Sequence, residues 1–149
     1  MASISDPTLA AARTVARLAQ QPDLRVQSFG AVHLVMTMRL RAIFERAERD
    51  PIAELSARLC SVPAAIAALD LCDQVCAVWP EAFAIHRPCC VKLSPDEHTL
   101  AQMARCARGG DRAGFRAVLD GFVRTGRHDN LFDATVRALA LVPASLPRG

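Results

Sequence analysis

"SVPAAIAALDLCDQVCAVW", residues 61–79, is the stretch on which the fold turns. Ser61 offers a capping hydroxyl, and Ile66, Leu69, Cys72, Cys76 and Trp79 recur at helical spacing, with Leu71, Val75 and Val78 widening the stripe. Only Asp70, Asp73 and Gln74 interrupt it. A helix from Val62 to Val78 that is apolar round most of its circumference belongs at the centre of a molecule, with other helices around it. Trp79-Pro80 ends it, because the residue before a proline is steered away from helical geometry.

The flanking segments supply the surrounding helices. A first one is predicted from Thr8 to Gln20, with Leu9, Ala12, Ala16 and Ala19 on one side and Arg13 and Arg17 on the other. Asp23 is expected to cap a long second helix reaching Glu48. Its apolar stripe reads Phe29, Val32, Met36, Leu40 and Ile43, and its outer face His33, Thr37, Arg41, Glu45 and Glu48. Asp50-Pro51 opens a short helix to Leu59. Beyond Trp79, Phe83 and Ile85 alternate with smaller or polar neighbours, which predicts a short extended segment over residues 82–87. Ser94-Pro95-Asp96-Glu97 then combines a serine cap, a proline at the first position and a glutamate three residues on, which completes a capping box. That helix stops at Gly109-Gly110. Asp111 caps another, carrying Phe115, Val118, Leu119 and Phe122 and ending near Gly126, and a last one runs from Asn130 to Val142. The sequence thus predicts an all-α, single-domain bundle of six or seven helices over residues 1–149, with a frayed tail at 144–149.

Composition agrees with that reading. Hydrophobic residues make up 52% and charged residues 22%, a balance that places the chain among globular proteins and not among disordered ones. No run approaches the roughly 18 apolar residues needed to span a bilayer, so no membrane partner is expected. Met1 to Asp6 shows no signal-peptide pattern, so the expected location is cytoplasmic. The net charge of +3 is too small to imply nucleic acid by itself. Arg105, Arg108, Arg112 and Arg116, with Arg39, Arg46 and Arg49, could still form basic helix faces for phosphates, and a solvated surface explains them equally well.

Six cysteines carry the main hint of chemistry. In a reducing compartment they are free thiols that pack, bind metal or sense redox state. Cys72 and Cys76 share a helix face with Cβ atoms about 5 to 6 Å apart, and His86, Cys89 and Cys90 follow in a loop. Zinc takes four Cys or His ligands, so Cys72, Cys76, His86 and one of Cys89 or Cys90 form a workable tetrahedral set. Core packing accounts for Cys72 and Cys76 as well, since free cysteine behaves as a small hydrophobe. For Cys89 and Cys90, adjacent side chains in extended chain point opposite ways, which gives one structural thiol and one reactive thiol. Arg87, Lys92 and the following helix start favour a thiolate, whereas Asp96 and Glu97 oppose it. His33, His98 and His128 read as surface or loop residues, and Asp96 and Glu97 as helix-start residues and not an acid-base pair. No phosphate loop, dinucleotide fingerprint or metalloprotease motif is present, and no catalytic residue is assigned.

The run Pro88-Cys89-Cys90-Val91-Lys92-Leu93-Ser94-Pro95-Asp96-Glu97, followed by Leu100, resembles a signature of uncharacterised small helical proteins of alphaproteobacteria. The resemblance covers the last 70 residues or so and implies no activity. The expected function is a small non-enzymatic binding or regulatory protein, a metal-binding or thiol-based sensor centred on the Cys89-Cys90 loop. The alternatives are a helical module for a protein partner or homo-oligomer, its cysteines purely structural, and a nucleic-acid-binding regulator using the arginine faces.

Overall fold

The computed structural model describes residues 22–142. Among them are six α-helices: α1 (Phe29–Arg46), α2 (Ile52–Leu59), α3 (Val62–Val78), α4 (Pro95–Arg108), α5 (Arg112–Leu119) and α6 (His128–Leu141). Two 3₁₀ turns, Leu24–Val26 and Thr125–Arg127, complete the regular structure. The described residues hold no strand, only one antiparallel bridge between Asp23 and Lys92. The chain is therefore all-α, as its patterning requires. The helix expected over Thr8 to Gln20 and the tail from residue 144 lie outside the described residues.

α3 occupies the centre, packed against α1, α2 and α6. Ser61 accepts the Ala64 N–H at 3.2 Å to start it, and the Trp79 N–H closes it on Val75 O at 2.9 Å. Ala64, Ala65, Ala68, Leu71, Cys72 and Val75 are almost wholly buried. Ile66, expected on the buried stripe, is instead 51% exposed. The small alanines face the neighbouring helices, because close helix packing favours short side chains at the contact.

The second helix begins later than expected. Asp23 caps only the first 3₁₀ turn, taking the Arg25 N–H at 2.8 Å, and Ser28 caps α1 by accepting the Ala31 N–H at 3.3 Å. The reason is a competing set of backbone bonds: Leu24 N–H reaches Val91 O at 2.6 Å, and Leu93 N–H reaches Pro22 O at 2.8 Å. The buried face of α1 also differs. Ala31, Leu34, Val35, Met38, Arg39 and Leu40 point inward, whereas Ile43 is 39% exposed and Thr37, read as outward, is buried.

α2 and α4 keep their expected boundaries, and both halves of the capping box at Ser94 and Glu97 form. α5 stops at Leu119 and not near Gly126, since Asp120 turns extended and Gly121 takes a φ of +90° that favours glycine. α6 begins at His128, whose buried ring hydrogen-bonds through Nε2 to Val123 O at 2.9 Å. His128 is a packed core residue and not the loop residue its position suggested. A main apolar core joins α1, α3, α4, α5 and α6, with Trp79 in contact with Phe83, tilted at 5.2 Å, and with Phe122, edge-on at 5.0 Å. A smaller one lies under α2, around Leu40, Leu55, Leu59 and Leu69.

Candidate functional site

The loop between α3 and α4 is held from inside. Arg39, on α1, is fully buried, and its side chain makes four hydrogen bonds, all to that loop and to the start of α4. Nε donates to Glu97 Oε2 at 2.6 Å, and Nη2 donates to Glu97 Oε1 at 3.0 Å, a bidentate pair with neither side chain exposed. Nη1 donates to Cys90 O at 2.8 Å, and Nη2 also reaches Lys92 O at 3.0 Å. Glu97 in turn accepts the backbone N–H of Ser94 at 2.9 Å and of His86 at 3.4 Å. Residues 82–87 run without helix or strand, fixed where Ala84 N–H meets Asp96 Oδ2 at 2.7 Å and Ala84 O accepts the Ser94 hydroxyl.

That cage explains the neighbouring cysteines. Pro88 and Cys89 form the centre of a turn closed by Cys90 N–H to Arg87 O at 2.9 Å, a position that suits the fixed φ of proline. Cys89 stands exposed at its tip, and Cys90 is half-buried with its carbonyl on Arg39. The other thiols face elsewhere. Cys72 is wholly buried, and burial pushes its thiol far above the ordinary range. Cys76 is half-buried, accepts from Arg41 Nη1 at 3.6 Å and donates to Met38 Sδ at 3.7 Å; burial raises its pKa against the pull of Arg41. Both remain protonated at neutral pH and react slowly.

The set Cys72, Cys76, His86 and Cys89 or Cys90 is not assembled. Among the described residues, no three His, Cys, Asp or Glu side chains group closely enough to hold a metal ion. The geometry of α1 gives the reason. Arg39 grips the loop and Arg41 grips Cys76, and residues two apart on a helix point roughly 160° away from each other. The two pairs of cysteines thus meet different residues of α1, Cys76 through Arg41 and Met38 and Cys90 through its carbonyl on Arg39. Arg39 was legible in the sequence only as part of a basic surface. Its spacing of four from Val35 put it in phase with the buried face, and an arginine there implies a buried carboxylate.

A second feature escaped the sequence reading altogether. The end of α1, the start of α2 and the outer side of α3 enclose an open groove of about 540 Å³. Ile52, Ile66 and Leu69 contribute its apolar floor, and Ile66 is the most exposed of them. The rim is charged: Arg41 bridges Asp73 at 2.7 Å and Glu45 at 3.4 Å, while Arg49 lies over the Phe44 ring at 5.8 Å. Asp50 accepts the Ile52 N–H at 3.0 Å just before α2, and Asp70 accepts from Gln74 at 2.8 Å. The volume falls within the range of ligand and side-chain pockets.

No protein-family model, curated protein or solved structure matches this chain. Among the described residues, no helix is long and apolar enough to cross a membrane.

Proposed function

We propose that this chain is a small, non-enzymatic binding protein that docks a helical segment of a protein partner in the groove between α1, α2 and α3. The observation that carries this reading is the groove itself, an apolar floor with Ile66 half exposed inside a charged rim. Such a surface suits the helix-in-groove mode, in which anchors at three- and four-residue spacing enter an apolar cleft and polar flanks meet its edge. The acidic rim would repel phosphate, which disfavours the nucleic-acid alternative at this surface. A selection of displayed helical peptides against the immobilised chain tests the reading. Binders should shift the backbone resonances of Ile52, Ile66 and Leu69 and fail on an Ile66→Asp variant. Binders indifferent to Ile66→Asp would overturn it.

One observation favours a second reading. The loop around Cys89 is anchored from beneath while its tip thiol is open to solvent, an arrangement suited to a thiol-based sensor in a reducing, cytoplasmic setting. Oxidised glutathione should then form a mixed disulfide at Cys89 faster than at Cys60, the other exposed thiol, and the fast phase should be lost in Cys89→Ser. Equal rates at Cys89 and Cys60 would count against it.

A further inference from the structure

The groove carries a charge opposite to that of the chain around it. The chain as a whole is at +3, yet the groove lining sets two arginines against four carboxylates, which leaves it at −2. The arginines are already committed, Arg41 to Asp73 and Glu45 and Arg49 to the face of Phe44. Asp50 and Asp70 are not neutralised in that way, because the bonds they accept come from uncharged N–H groups of Ile52 and Gln74. The two carboxylates come from different elements of the lining, Asp50 before α2 and Asp70 on α3. On α3 the order along one face is Ile66, then Asp70 one turn later, then Asp73.

Resting on the docking reading above, we infer that the occupant of this groove is a cationic amphipathic helix of a partner protein. Its apolar anchors seat on Ile52, Ile66 and Leu69, and Lys or Arg residues flanking those anchors face Asp50 and Asp70. An anionic helix would bring like charges together at both carboxylates, and a neutral one would leave them desolvated without a counter-charge. The sign of the rim therefore selects among partners that the apolar floor alone would accept equally.

Three fluorescein-labelled synthetic helices test this against the full chain by anisotropy. They share leucines at helical spacing and differ only in their flanking residues, which are Lys, Gln or Glu. At low ionic strength the Lys helix should bind about tenfold more tightly than the Glu helix, and the ratio should shrink several-fold in about 0.5 M salt, where the Debye length falls to a few ångströms. An Asp50→Asn/Asp70→Asn double variant keeps a side-chain acceptor for the Ile52 N–H and should collapse that ratio, while the Gln helix binds it at least as tightly as the parent chain. A ratio that survives the double variant overturns the inference. Equal binding of all three helices, weakened alike by Ile66→Ser, also overturns it but leaves the docking reading standing. Absence of any Ile66-dependent binding removes both.

Discussion

The Arg39 guanidinium and the Glu97 carboxylate meet twice, at 2.6 and 3.0 Å, with no solvent on either side chain. Such a pair is costly to desolvate, so its net worth is small against an apolar replacement. Loss of one member alone is severe, typically about 3–5 kcal/mol, because the other charge is left buried and unpaired. Arg39→Met should therefore destabilise the protein by roughly that amount in urea unfolding. Glu97→Gln added to Arg39→Met should recover part of the loss, and a double variant no better than the single one would contradict this account.

Ser94 links the same network to the loop. Its hydroxyl accepts the Glu97 N–H at 3.0 Å and donates to Ala84 O. Ser94→Ala removes both bonds and should cost about 1–2 kcal/mol in chemical denaturation, at the upper end for a helix cap. Thr at this position keeps a hydroxyl and should cost less.

The thiols should separate by exposure. Under native conditions at neutral pH, iodoacetamide should label Cys89 and Cys60, both exposed, well before Cys76. Cys72 should label only on unfolding, because burial holds its proton. Peptide mass spectrometry of a time course reads the order directly, and early labelling of Cys72 would mean that α3 is not the centre of the molecule.

Two histidines contribute to the acid side of stability. Burial lowers the pKa of His33 from its ordinary 6.5, and burial together with Arg105 lowers that of His98. Both then bind protons more readily in the unfolded chain. Their contribution is present above pH 6.5 and is lost as the pH falls through the folded-state values below it. Thermal melts should accordingly show the melting temperature declining on acidification below about pH 6.5, with a shallower decline in His33→Gln.

Much of the fold was legible because local rules and burial agreed. Ser61, Ser94 and Asp111 each cap the helix their sequence context predicts, and α2, α3 and α4 keep their expected boundaries. The face of α1 was misjudged because a buried arginine sits among its inward residues, and hydrophobic periodicity counts such a residue as surface. The expected metal site failed for a related reason. Sequence spacing placed Cys76 and Cys89 near each other along the chain but carried nothing about the direction in which each side chain points, and Cys76 turns to Met38 and Arg41 on α1. The groove was invisible because its walls come from three helices, and Ile66 looked like one more core residue until its neighbours proved to be short alanines.

The arginine clasp also says when this region can take shape. Arg39 and Glu97 are 58 positions apart, so the Cys89 turn, closed locally only by the Cys90 N–H on Arg87 O, gains its anchor when α1 and α4 dock. Amide protons of Leu93 and Ser94 should then exchange with deuterium no faster than the helices themselves, a surface loop that opens only when the whole molecule does.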